Sequence, residues 1–206
     1  LWVRAKNTST NAYTVISASG VSCLTKVAPA GGALTIVSTG LSTAYATATI
    51  ASLGNDATYT YHVSRSNINS SGATMTDCAS LTAQTSSQSI TATGFSEGTT
   101  YYLWVRAKDT ATGEYTVISQ SASCTTKIAP GGGSVAVDSV GLTTASITAS
   151  IATLGTNSTY EYYVSTTTTN SSSAPMANRA SLSADTSSQT VTATGLAENT
   201  TYYLWV

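Results

Sequence analysis

The chain has 206 residues, of which 8% are charged, with eight Lys and Arg against nine Asp and Glu for a net charge of −1. A nucleic-acid binder needs a basic stripe to neutralise phosphates, and eight cations scattered along the chain do not form one; nor is there an acidic tail or a polybasic membrane patch. Ser and Thr make up about a third of the residues, a share that would suit disorder, but apolar residues alternate regularly between them and argue for folded strands.

Residues 1–26 read as two strands, Leu1 to Lys6 and Tyr13 to Cys23, joined by the polar turn Asn7-Thr8-Ser9-Thr10-Asn11. A two-stranded ribbon is not stable by itself, so these residues are expected to be the end of a domain whose earlier strands precede them. Leu1-Trp2-Val3-Arg4-Ala5-Lys6 returns as Leu103 to Lys108, and Thr99 to Val105 returns as Thr200 to Val206. Leu1 and Leu103 stand 102 positions apart, and Leu103 and Leu204 stand 101 apart. That period is one small domain, so the chain reads as a stretch of a tandem array. It divides into 1–26, the last two strands of a preceding repeat; 27–127, one complete repeat; and 128–206, a following repeat that lacks its last strand.

Ala28-Pro29-Ala30-Gly31-Gly32 and Ala129-Pro130-Gly131-Gly132-Gly133 are expected to be linkers, where Pro and Gly interrupt any ladder. After the first, Leu34 to Val37 reads as a short strand. Ala44, Ala46, Ala48 and Ile50 then alternate with hydroxyl residues, as Ala145, Ile147, Ala149 and Ile151 do in the next repeat. Gly54 and Gly155 lead to Tyr59, Tyr61 and Val63 and to Tyr160, Tyr162 and Val164, another buried face. Ser64 to Thr74 and Ser165 to Ser173 read as loops. Leu81 and Leu182 anchor a short strand each, and Ile90 with Ala92, or Val191 with Ala193, marks another.

Residues 101–108 carry the sharpest period-2 signal. Tyr101, Leu103, Val105 and Ala107 fall on one face, and Tyr102, Trp104, Arg106 and Lys108 on the other, which predicts a strand with one buried side. Outward Trp104, with its counterparts Trp2 and Trp205, is expected either to pack across the sheet or, with Tyr102 and Tyr203, to offer aromatic faces on which sugar rings stack.

About seven short strands per hundred residues, with no amphipathic helix, predict an all-β chain of tandem two-sheet antiparallel sandwiches. The words Gly94-Phe95-Ser96-Glu97-Gly98-Thr99-Thr100-Tyr101 and Gly195-Leu196-Ala197-Glu198-Asn199-Thr200-Thr201-Tyr202, followed by alternating Leu and Val, resemble the fibronectin type III repeat of the immunoglobulin-like sandwiches. The resemblance covers the whole chain. It implies that Tyr101 and Tyr202 are tyrosine-corner residues whose hydroxyls bond to backbone a few residues upstream. It also implies that 103–108 is strand F and 115–124 strand G. Ile50 and Ile151 stand near the family's strand-B Trp, and Glu97 and Glu198 replace the corner Pro. The integrin-binding Arg-Gly-Asp of some members is not present at Lys108-Asp109-Thr110. With small Ala residues on strand B, Tyr59, Tyr61 and Tyr101 are expected to fill the core.

Candidate chemistry is sparse. Cys23 and Cys124 are repeat equivalents, whereas Arg179 stands where Cys78 would recur. In an oxidising compartment Cys78 could pair with Cys124; free thiols or a link to another chain are the alternatives. No Cys-x-x-Cys or Cys/His spacing points to a metal, and no cofactor is expected. His62 is the only histidine and Tyr163 is its equivalent; with no orienting partner in view, catalysis is not expected. Asn-x-Ser/Thr sequons occur at Asn7, Asn69, Asn157, Asn170 and Asn199 and are acceptors wherever the source glycosylates. Low charge and heavy hydroxyl content point to an extracellular or cell-surface location, and no apolar run here is long enough to insert in a bilayer. Any targeting segment is expected outside these residues, since the first lies inside a strand. The expected role is a non-enzymatic stalk, spacer or fibre shaft whose partners are neighbouring repeats and other copies of the chain. An adhesive module for glycans or cell-surface ligands is the alternative.

Overall fold

The computed structural model describes residues 1–206 except 56–57 and 157–159. The N-terminal ribbon pairs β1 (Arg4–Lys6) with β2 (Tyr13–Val15) in antiparallel register, Arg4 opposite Val15 and Lys6 opposite Tyr13. The guanidinium of Arg4 lies 3.9 Å above the Tyr13 ring. The turn is shaped by Asn7, whose side-chain oxygen accepts the N–H groups of Ser9 and Thr10. Among the described residues no second sheet covers the ribbon, and Leu1, Trp2, Val3, Val15 and Ile16 are all exposed.

Next comes a complete sandwich. One sheet holds β3 (Ala30–Thr39), β4 (Thr43–Ser52) and β7 (Gln88–Thr93) in the order β3-β4-β7. The other holds β5 (Tyr59–Ser66), β6 (Thr76–Leu81), β8 (Thr100–Asp109), β9 (Tyr115–Val117) and β10 (Ala122–Thr125) in the order β10-β8-β5-β6, with β9 also on β8. Three strands facing four strand positions, all pairs antiparallel, make a fibronectin type III-like sandwich. The alternation that the sequence displays decides which side is buried. Ala44, Ala46, Ala48 and Ile50 of β4 face Tyr61 and Val63 of β5 and Leu103, Val105 and Ala107 of β8, and all are buried. Tyr61 and Tyr101 fill the volume that the alanines leave, and the Tyr61 hydroxyl donates to the Leu53 carbonyl at 2.7 Å. Tyr59 packs on the core while only partly buried.

Several expectations about local order change: Ser64 to Ser66 and Ser165 to Thr167, expected to open loops, end β5 and lie in the next repeat's matching strand, and the strand expected over Tyr13 to Cys23 is confined to Tyr13–Val15. Ala30-Gly31-Gly32 is not a break but the start of β3, with Ala30 opposite Ser52 and Gly32 opposite Ile50. The glycines serve a crossing. Gly31 adopts φ 62°, and the Gly32 N–H leaves its own sheet to donate to the Ile118 carbonyl of the other at 2.5 Å. A Cβ on Gly32 would stand 3.0 Å from the Thr49 carbonyl, so only glycine lets the chain pass there. The expected single strand over 115–124 is in turn broken into β9 and β10. Between them the Ser119 hydroxyl accepts the Val105 N–H at 2.8 Å and donates to the Gln120 carbonyl at 2.9 Å, replacing ladder bonds with side-chain ones.

Cys78 and Cys124 are buried in one core cluster as free thiols, the alternative that the sequence left open beside their pairing. They sit on β6 and β10, the two edges of one sheet, with β5 and β8 between. Three strand spacings of about 4.8 Å put their backbones roughly 14 Å apart, about twice what a disulfide tolerates. Burial pushes the Cys78 thiol up to about 12 and raises that of Cys124 as well. Cys23 is free and exposed.

The third unit repeats the plan with β11 (Gly131–Val140), β12 (Ala145–Thr153) and β15 (Gln189–Ala193) in one sheet. Its second sheet has β14 (Ala177–Leu182), β13 (Tyr162–Thr167) and β16 (Tyr203–Trp205) in the order β14-β13-β16. Its core is smaller, built on Ile147, Ile151, Val164, Leu182 and Ala193.

Candidate functional site

The outer face of the β10-β8-β5-β6 sheet is where the sequence places its aromatic and charged side chains. Trp104, expected to face outward and either to pack across the sheet or to serve as a platform, is 8% exposed. The β5 residue opposite it is Ser64, itself fully buried. The loop after β5 is tied to the segment before β10 by a hydrogen bond between the Ser121 hydroxyl and Asn69 at 2.7 Å. The indole thus lies between β5 and β10, the strands on either flank of β8. Its counterparts separate the two flanks. Among the described residues Trp2, in a ribbon with no strand on the β5 side, is 62% exposed, whereas Trp205, beside β13 but with no strand on its other flank, is half-buried. Trp104 thus packs, and a sugar ring has no face of it to stack on. Its indole Nε1 is buried without a partner, as is that of Trp205. Tyr102 is half-buried, and Tyr203 is exposed.

Beside Trp104 lies a polar cluster centred on Asp77. One carboxylate oxygen accepts from the Ser64 hydroxyl at 2.5 Å and from Arg106 Nη2 at 2.8 Å; the other accepts from the Tyr115 hydroxyl at 2.7 Å. Burial raises the Asp77 carboxyl, but the hydrogen bonds from Ser64, Tyr115 and Arg106 together outweigh it and hold the group below its ordinary value. Donating to that carboxylate raises the Tyr115 phenol. Arg106 also stacks 3.9 Å above the Tyr115 ring, the same pair as Arg4 and Tyr13.

His62 does have a partner, contrary to the sequence expectation. Its Nδ1 lies 3.5 Å from Asp77 Oδ2 and its Nε2 3.0 Å from the Thr60 hydroxyl. The order hydroxyl, imidazole, carboxylate has the outline of a nucleophilic relay. It lies on an open strand face, and Asp77 is committed to three other donors. In the third repeat the same positions carry different chemistry. Ser165 donates to Asn178 at 2.6 Å, and Tyr163 donates to Glu161 at 2.7 Å. What recurs is cross-strand bonding on this face rather than a reactive set.

A second constellation lies at the joints between repeats. The Val27 N–H donates to the Asn55 side chain at 2.5 Å, and the Asn55 N–H donates to the Val27 carbonyl at 3.1 Å. One repeat later the Ile128 N–H donates to the Thr156 hydroxyl at 2.8 Å, and the Thr156 N–H donates to the Ile128 carbonyl at 2.9 Å. This second linker is fastened upstream too. The Ala129 N–H donates to Glu97 Oε2 at 3.0 Å, the Gly98 N–H donates to the Lys127 carbonyl at 3.2 Å, and Ile128 lies so close that a Cβ on Gly98 would stand 2.9 Å from it. Sequence reasoning passed over Asn55 and Thr156 and read Glu97 only as a replacement for the corner Pro. The recoverable signal was that Asn55 and Thr156, 101 positions apart, both carry a side-chain acceptor one residue after a glycine.

The tyrosine-corner positions behave alike. The Ser96 N–H donates to the Tyr101 hydroxyl at 3.1 Å, and the Ala197 N–H donates to the Tyr202 hydroxyl at 3.2 Å. Of the sequons, Asn7, Asn69, Asn170 and Asn199 are exposed, and Asn157 lies outside the described residues. Asn199 takes φ 51°, the left-handed conformation that Gly98 takes at its equivalent position.

No family model matches the sequence. No curated protein matches it either. Among solved structures the chain is similar to the crystal structure of chicken CNTN1 FN1-FN3 domains, at 17% identity and a TM-score of 0.36, with 98% of this chain and 68% of that chain covered.

Proposed function

We propose that the chain is a non-enzymatic structural module of an extracellular or cell-surface protein, a spacer whose consecutive sandwiches are held at a set angle by their linkers. The observation that carries this reading is the reciprocal clasp between linker and following repeat, Val27 with Asn55 and again Ile128 with Thr156. Domains joined by short chains move relative to one another by default. A length-setting element has to suppress that motion, and hydrogen bonds worth about 0.5–1.5 kcal/mol each, five of them at the Lys127–Ala129 joint among the described residues, act against it. The adhesive alternative is weakened because its central aromatic, Trp104, is buried.

The test is nuclear spin relaxation on the whole chain. The second and third units are expected to share one rotational correlation time, and Thr156→Val combined with Glu97→Ala is expected to separate their values. Independent tumbling of the two units in the unmodified chain would overturn the spacer reading.

A further inference from the structure

The chain enters the middle repeat just before β3 and leaves it just after β10, so tension applied through the two linkers acts on the start of β3 and the end of β10. These strands lie in different sheets, β3 laddered to β4 and β10 to β8. They are nevertheless tied directly to each other. Gly32 and Ser119 form an isolated bridge in parallel register, closed by the Gly32 N–H on the Ile118 carbonyl. Just beyond the far end of β3 the Gly40 carbonyl accepts the Lys127 N–H at 2.9 Å. Residues 32–40 and 118–127 therefore run in the same direction and are bonded at both ends, and Leu34, Ile36, Ile118 and Cys124 join one core cluster.

Both anchors are held from behind. The Ile118 N–H donates to the Val105 carbonyl of β8 at 2.9 Å, and the Ile118 side chain is buried. Thr126, next to Lys127 and 1% exposed, donates its hydroxyl to the Ser96 carbonyl at 2.6 Å and its N–H to the Thr99 carbonyl at 3.1 Å. Gly40 closes the turn into β4, its N–H donating to the Thr43 carbonyl at 2.8 Å. The third repeat has Gly133 and Gly141 where the middle one has Gly32 and Gly40.

We propose that these two ties form a shear clamp: under tension between its ends the middle repeat holds until the Gly32–Ile118 and Gly40–Lys127 bonds break together, and only then do the sheets separate. The reason is direction. Tension draws β3 toward the pole where Ala30 lies and residues 118–127 toward the opposite pole, where Lys127 lies, so two parallel segments are made to slide past each other. Both bonds are loaded at once, whereas a strand peeled from one end loads its bonds in turn. Forced unfolding follows the unfolding rate rather than the equilibrium stability, so two backbone bonds on the load path govern it out of proportion to their share of the fold. The clamp lies within one repeat and is independent of the spacer reading, since stiff joints can connect repeats that yield easily.

The experiment is a constant-force measurement on the full chain tethered through its ends, the middle repeat being recognised by the extension that residues 27–127 release. Lys127→Pro deletes the donor to Gly40. Exchange of the Gly31–Gly32 amide for an ester, by ligation at Cys23 and Cys78, deletes the donor to Ile118 without adding a Cβ. Each is expected to shorten the lifetime under load by about fivefold or more. Gln88→Ala removes the bonds of that side chain to the Thr82 N–H and carbonyl, off the load path, and is expected to lower the urea midpoint while leaving the lifetime within about twofold. A further arm leaves the clamp unaltered. Thr112, in the turn between β8 and β9, lies at the Ala30 pole, because β3 runs parallel to the segment after β9 and antiparallel to β8. Tethering at the N-terminus and at Thr112→Cys, in a Cys23→Ser background, peels β3 instead of shearing it and is expected to shorten the lifetime by about tenfold or more. Lifetimes unchanged by both deletions overturn the proposal, as does an equal loss in Gln88→Ala or an equal lifetime in the two pulling directions. If either altered chain fails to fold, the comparison of directions decides.

Discussion

Replacing Trp104 by Ala tests whether this tryptophan packs or recognises. A tryptophan buries about 150–250 Å², which at about 25 cal/mol per Å² corresponds to about 4–6 kcal/mol when burial is nearly complete. Against this stands the indole Nε1, buried without a partner, a defect that costs about 1–3 kcal/mol. Trp104→Ala is therefore expected to destabilise the middle sandwich by about 2–4 kcal/mol, toward the lower part of the range for core Trp truncations. Trp104→Phe keeps most of the area while deleting the orphaned donor, and is expected to stay within about 1 kcal/mol of the parent. Trp2→Ala is expected to leave that sandwich unchanged, because Trp2 is 62% exposed and lies in the ribbon. Urea denaturation followed by far-ultraviolet circular dichroism suits the comparison, since fluorescence would lose its reporter. Hydrogen exchange at β4 and β8 amides assigns the effect to the right unit. A cost below about 1 kcal/mol for Trp104→Ala, or an equal cost for Trp2→Ala, would refute the idea that two flanking strands bury this ring.

Two further outcomes follow from the core. In the native chain one thiol, Cys23, is expected to react with a disulfide reagent at neutral pH while Cys78 and Cys124 stay silent, held by burial as neutral thiols; after denaturation all three should react, and fewer than three would reveal a disulfide. Arg65→Thr is expected to destabilise the middle repeat by about 1–3 kcal/mol, and adding Cys78→Arg is expected to recover most of it by restoring the arrangement of the third repeat. A double variant no more stable in thermal unfolding than Arg65→Thr alone would sink that equivalence.

The legible part of the fold was whatever rests on one strand's own alternation. The inward faces of β4 and β8 are buried as their period-2 pattern predicts, because a sheet with one covered side leaves each residue only two places to point. What the pattern hid was anything decided by a neighbour. Trp104 sits at an outward position and is buried all the same, flanked by β5 on one side and β10 on the other. Alternation along a strand carries no information about what crosses above it. Gly31 and Gly32 look like a breaker, and become the place where β3 reaches both sheets; composition shows backbone freedom but not its use. The joint residues Asn55 and Thr156 are unremarkable in one repeat and become visible only when two repeats are laid over each other.

The arginine near the corner shows why such overlays are informative beyond identity. Position 65 is Arg in the middle repeat and its equivalent 166 is Thr, while position 78 is Cys and its equivalent 179 is Arg. Read singly, these are two unrelated losses. In space the guanidinium stays in one place. Arg65 lies 5.4 Å from the rings of Phe95 and Tyr101, with Nη2 3.2 Å from where a Gly94 Cβ would be. Arg179 lies 6.0 Å from the Tyr202 ring, with Nη1 bonded to the Gly195 carbonyl at 2.8 Å. Thr166 is left to accept from Arg179 Nε at 2.8 Å. The arginine has moved across one strand pair, and the space it vacates on β14's counterpart, β6, holds a buried thiol. A cation over the corner tyrosine and against the glycine that turns the chain is thus retained while both residues change. Cys78 is, on this account, core filling beside a relocated arginine rather than half of a disulfide.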